Sequence, residues 1–166
     1  MRILGVDPGL RATGYAVLQG SPQGIRLIRT GVIRTDDAAA LALRLRTIYT
    51  GLAAVIEEFR PDGLAVEDLF AARRFPRTAI LMGHVRGVVC LAAAERGIAV
   101  EALPPAAVKS AITGFGGASK MQIQQAVRRL LGKDLAATSH AADAAAMALV
   151  ALSRRGVPLA REAAAG

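Results

Sequence analysis

The chain has 166 residues and a mass of 17.2 kDa, enough for one domain with a proper core and no need of staples. Its net charge is +8, and 18 of its 21 basic residues are arginine, the side chain that pairs bidentately with phosphate, so a polyanion is the expected partner. Although 53% of the residues are hydrophobic, much of that is alanine; the late apolar run Ala144 to Leu152 has nine residues against the ~20 that span a bilayer, and no membrane association is expected.

The first third reads as an antiparallel meander of strands over residues 2–7, 13–19 and 25–33, broken by Pro8-Gly9 and by Gly20-Ser21-Pro22-Gln23-Gly24. With one arginine and then Asp7 in the opening stretch, there is no room for the apolar segment of a secretory signal, and a cytoplasmic location is expected. Leu41, Leu45, Ile48, Leu52, Val55 and Phe59 alternate steps of four and three, which predicts an amphipathic helix over 38–59, ended by Pro61. Gly63-Leu64-Ala65-Val66-Glu67 is a short apolar run, expected as a buried strand parallel to the first.

Residues 78–97 read as a strongly apolar helix holding the single cysteine, Cys90, which fits a small core residue. Gly83 and Gly87 permit close helix approach there, and His84 between them reads as packing or interface. A strand over 98–102 follows, then Pro104-Pro105 opening a short helix that carries Lys109, a glycine loop over 113–118, and helices over 119–131 and 139–155. Residues 1–157 are expected to form the domain and 158–166 a disordered tail. Strands followed by helices alternating with two further strands predict an α/β fold, a mixed five-stranded sheet with helices on its faces.

Four side chains stand out. Asp7 and Glu67 each end a buried strand, and strand ends hold a ligand more firmly than loops do. His140 and Asp143, three apart in a helical stretch capped by Thr138 or Ser139, share one helix face, and the alanines around them let a sheet approach closely. Three carboxylates and an imidazole around one small volume suit two divalent cations ~4 Å apart, the arrangement that hydrolyses phosphodiesters. The loop that ends Ser119-Lys120-Met121 is no nucleotide-binding P-loop, since a glycine is missing before the lysine and methionine follows it.

Ile3-Leu4-Gly5-Val6-Asp7-Pro8-Gly9, Thr13-Gly14-Tyr15, Ala65-Val66-Glu67-Asp68-Leu69-Phe70, Val108-Lys109, Lys120-Met121-Gln122 and His140-Ala141-Ala142-Asp143-Ala144 resemble, in order and spacing, the RuvC family of Holliday-junction resolvases. The resemblance runs from Met1 to about Arg154. It implies an RNase H-like fold, a homodimer, dependence on magnesium or manganese with two ions per site, and paired nicks across four-way junction DNA. It also implies a bacterial, nucleoid-associated setting and a branch-migration helicase complex as partner.

By position, Asp7, Glu67 and Asp143 match the family's catalytic carboxylates, and His140 stands where many members have a fourth aspartate. Imidazole is a softer ligand than carboxylate, so a preference for manganese is expected, with assistance to a water or phosphate without direct ligation as the other open role of His140. Phe70 matches an aromatic that stacks on bases near the crossover; the residue alone leaves stacking and core packing equally open. Lys109 and Lys120 match basic positions near the scissile phosphate, Lys120 as part of the catalytic set. Arg73, Arg74 and Arg77, just beyond Phe70, are expected to track backbone phosphates. Two other readings compete: a junction-binding scaffold that does not cut, and an ATPase of the actin and sugar-kinase kind, which the length disfavours because those folds need two such domains.

Overall fold

Period-two alternation along the first strand, Arg2–Asp7 (β1), divides the interior in two. In the computed structural model, which describes residues 1–68, 76–132 and 138–160, Ile3 joins one apolar cluster while Leu4 and Val6 join another on the opposite side of the sheet. The remaining elements are β2 (Ala12–Ser21), β3 (Gly24–Arg34), α1 (Leu41–Phe59), β4 (Gly63–Glu67), α2 (Pro76–Ala94), β5 (Val100–Leu103), α3 (Pro105–Thr113), α4 (Lys120–Leu131) and α5 (Ser139–Arg154).

The sheet order is β3-β2-β1-β4-β5. β1, β2 and β3 form the antiparallel meander, while β4 lies parallel to β1 and β5 parallel to β4. Helices α1 and α2 cover the Leu4/Val6 face, and α3, α4 and α5 cover the Ile3 face. This is the mixed five-stranded α/β sheet with helices on both faces that the sequence predicts.

Helix α5 is the axis of the molecule, buried on nearly every side from Ala141 to Leu152. Its alanines let it lie almost on the backbone of β1 and β2. A Cβ on Gly5 would fall 1.9 Å from the carbonyl oxygen of Ala144, and one on Gly14 would fall 2.2 Å from that of His140. Glycine is required at both places because backbone, rather than a yielding side chain, fills the space.

Several boundaries differ from the sequence reading. Helix α1 begins at Leu41, not 38, because Asp36 Oδ1 accepts a hydrogen bond from the Ala38 amide at 2.9 Å and holds that stretch in a turn. Helix α2 stops at Ala94, where Gly97 (φ 66°) and the Ile98 amide, 3.0 Å from the Ala93 carbonyl, turn the chain. The expected tail from 158 is corrected in its first residues: Leu159 packs on the core and the Ile25 amide donates to the Ala160 carbonyl at 2.8 Å. Residues 161–166 lie outside the described residues.

Helix α2 buries one side and leaves large apolar side chains uncovered on the other. Val85, Val89, Ala92 and Ala93 are buried, and Arg86 pairs with Asp68 at 3.5 Å. Ile80 and Leu91, in contrast, are 62% and 51% exposed. His84 is exposed as well, which removes packing within the chain and leaves the interface half of its reading. By length and composition the window Arg77–Ala94 could cross a membrane, a segment that the sequence reading passed over; its inner side is nonetheless committed to the core.

Candidate active site

Strand parity brings the acids together. Along β1, Ile3 and Gly5 face α5, so Asp7 does too; along β4, Gly63 and Ala65 pair with Ile3 and Gly5, and Glu67 follows on the same face. Val6 pairs with Val66, which puts Asp7 and Glu67 one step further along neighbouring strands. Asp68, of opposite parity, points to α2 and its Arg86 partner. The turn after Asp7 is fastened by buried Thr13, whose hydroxyl donates to the Gly9 carbonyl at 2.8 Å.

Helix α5 supplies the other two members. Thr138 caps it, its side chain accepting from the Ala141 amide at 3.3 Å, so His140 and Asp143 occupy the opening turns. His140 Nδ1 lies 2.7 Å from Asp7 Oδ2. Ser119 and Gln122 form a reciprocal capping box at the start of α4, which delivers Lys120 across the cleft to Asp143 Oδ2 at 2.6 Å.

A cleft of about 290 Å³ is lined by Asp7, Glu67, Lys109, Lys120 and Asp143, with Pro105, Val108, Ile123, Ala146 and Met147 as its apolar wall. His140 joins the group through Asp7. Burial pushes the Asp7 carboxyl above its ordinary range and the Asp143 charge adds to this, against the His140 hydrogen bond and Lys120. Burial raises Glu67 as well, reinforced by repulsion from Asp7 and Asp143. The hydrogen bond to Asp143 raises Lys120, helped by the charges of Asp7 and Glu67. The site is therefore a concentration of negative charge in which Lys120 is paired with Asp143.

That donor set fits a hard divalent cation: several carboxylates, one imidazole, and anionic forms disfavoured without a positive partner. Among the described residues no three such side chains already stand close enough together to hold one ion, since Lys120 engages Asp143 and His140 engages Asp7. An ion held by three of them would require these side chains to draw inward.

Of the predicted site residues, Asp7, Glu67, His140, Asp143, Lys109 and Lys120 are brought together. Arg77 is exposed at the start of α2 and does not line the cleft. Phe70, Arg73 and Arg74 lie outside the described residues. The sequence reading missed the Lys120–Asp143 pair, although the Ser119-x-x-Gln122 spacing that aims the lysine was visible.

The family described as crossover junction endodeoxyribonuclease RuvC matches residues 3–151. A relative of that name from Paramagnetospirillum magneticum is 43% identical over 94% of this chain and 93% of its own length. One from Rhodopirellula baltica is 46% identical over 89% of this chain and 83% of its own. Among solved structures, Thermus thermophilus RuvC in complex with Holliday junction substrate superposes with a TM-score of 0.84 at 34% identity, covering 94% of this chain and 96% of that one. The yeast mitochondrial Holliday junction resolvase Ydc2 shares the fold, with a TM-score of 0.68 at 13% identity over 93% of this chain and 78% of that one.

Proposed function

The chain belongs to the RuvC family of crossover junction endodeoxyribonucleases, and we propose that it resolves four-way (Holliday) DNA junctions by paired symmetric nicks in recombination and repair. One observation carries the reading: Asp7 and Glu67 end adjacent parallel strands on the face covered by α5, where Asp143 lines the same cleft and His140 hydrogen-bonds Asp7.

Asp7, Glu67, His140 and Asp143 would hold two magnesium or manganese ions, which when bound supply Lewis-acid polarisation of the scissile phosphate and an activated water. The residues do the rest. Three carboxylates in one cleft set the charge that makes cation entry favourable, and the substrate phosphate then completes the balance. Lys120 and Lys109 face that phosphate from the cleft wall, where an ammonium group steadies charge developing on the departing oxygen. Lys120, paired with Asp143 in this cleft, would be free to face the phosphate where a cation takes its place beside that carboxylate. His140 favours manganese, being softer than the carboxylate it replaces.

Symmetric nicks require two sites related by a twofold axis, hence a homodimer. The exposed apolar surface of α2 supports that assembly: Ile80 and Leu91 are uncovered, and beside Gly83 and Gly87 there is open space for a facing helix. Arginine-borne charge supplies salt-sensitive affinity for the junction. Phe70, Arg73, Arg74 and Arg77 would contact DNA near the crossover. A branch-migration helicase complex would deliver the junction, in the bacterial cytoplasm at the nucleoid.

A synthetic junction labelled in each strand in turn and incubated with the protein and manganese is the test. Nicks at matching positions in two opposed strands are expected. A gel shift without nicks would support a scaffold, and ATP turnover without nicks would support the nucleotide-binding reading.

A further inference from the structure

The connection between α3 and α4 carries a feature that the cleavage chemistry does not use. Both helices bring a lysine to the cleft, Lys109 and Lys120, and the turn between them displays Phe115, which is 66% exposed. Its position is built rather than loose. Thr113 Oγ1 lies 2.8 Å from the Lys109 carbonyl and 3.0 Å from that of Phe115, and it accepts from the Phe115 amide at 3.3 Å. The Ala118 amide closes the turn on the Phe115 carbonyl at 3.1 Å.

The glycines shape this presentation. Gly114 takes φ 76° as the cap of α3, a conformation that other residues rarely adopt. A Cβ on Gly117 would stand 2.6 Å from the tip of the phenyl ring, so glycine leaves the room that this placement of the ring needs. Gly116 sits over the Ala106 carbonyl, which folds the loop back on the first turn of α3, next to Pro105 at the cleft wall. Met121, next in sequence to Lys120, is likewise 66% exposed. No acid occurs between Thr113 and Met121, so nothing there repels a polyanion.

We infer that Phe115 stacks on an unpaired nucleobase beside the scissile phosphate and thereby sets which junction positions are cut. This rests on the nuclease reading. An exposed aromatic ring carried on a hydrogen-bonded turn can stack on any base, and the two flanking lysines bring the backbone of the same strand alongside. The surface of α2 offered to a second copy lies on the opposite side of the sheet, so dimer formation there leaves Phe115 free.

The probe is a four-way junction carrying 2-aminopurine at single positions around the cleaved phosphate, mixed with the protein without divalent metal to read stacking and with manganese to read cutting. Wild type should change the emission at one position. Phe115→Leu should lose that signal, cut about fivefold or more slowly with a blurred choice of position, and melt within a degree or two of wild type. Phe115→Trp should restore both signal and position. If wild type cuts the junction and Phe115→Leu matches it in emission, rate and position, the inference falls while the nuclease reading stands. Loss of self-association in Phe115→Leu with unchanged emission would assign the ring to a protein contact and overturn the inference. A wild type that neither binds nor cuts the junction removes both.

Discussion

Replacing Gly5 by alanine asks whether the approach of α5 to β1 makes the site. The new Cβ would lie 1.9 Å from the Ala144 carbonyl oxygen and 2.9 Å from the Ala148 amide nitrogen, both backbone atoms. No rotamer change relieves that. Reaching even 3.0 Å means a retreat of α5 by about 1.1 Å, and His140 and Asp143 move with it. Overpacking of this kind costs ~1–3 kcal/mol, a fall in melting temperature of roughly 2–12 °C for a chain of this size. Displacement of reacting groups by about 1 Å costs ~10²-fold in rate. Gly87→Ala is the control, because nothing lies within 4 Å of its Cβ; at dilutions where the chain is monomeric it should gain ~0.5–1 kcal/mol. Thermal melts on both variants, with junction cleavage measured on Gly5→Ala, decide the matter. A Gly5→Ala protein as stable and as active as wild type would refute the proposed packing.

The raised carboxyls make a stability prediction. Burial and the charges of Asp7 and Asp143 keep Glu67 protonated to higher pH in the folded state than its ordinary 4.5, so its ionised form costs stability once pH rises through the folded value. In chelator at neutral pH, Glu67→Gln should therefore melt above wild type, with the gap closing below about pH 4; a gap that widens on acidification would contradict the sign. His140→Asp should lower the ratio of manganese- to magnesium-supported cleavage, and an unchanged ratio counts against ligation by the imidazole. Lys120→Met frees Asp143, so manganese binding measured by calorimetry without DNA should tighten roughly two- to fivefold, a modest gain because the lysine side chain is 61% exposed. Cleavage by the same variant should fall ~10²-fold or more; weaker manganese binding would refute the counter-ion role.

Much of the architecture was legible because its signals are local. A continuous apolar run bounded by Pro8-Gly9 marked β1 to the residue, and the steps of three and four marked α1 except at its start, where Ala40 offers no side-chain cap. The candidate site was legible through spacing and strand ends: Asp7, Glu67 and the His140/Asp143 pair needed only that the strands be neighbours. What stayed hidden depends on tertiary approach. The Lys120–Asp143 pair joins two helices, the need for glycine at positions 5 and 14 arises from the backbone of α5, and exposure on α2 shows only once its inner side has been packed. His84 illustrates the last case: an apolar neighbourhood in sequence became an outward face in the fold.

The central claim, that these acids exist for cutting rather than for folding or for holding DNA, is tested most directly by Asp7→Asn assayed in parallel for junction affinity and cleavage. The amide keeps the shape and removes a charge facing phosphate, so affinity should equal or exceed that of wild type while nicking disappears. An Asp7→Asn protein that still nicks opposed strands at the wild-type rate would contradict the account.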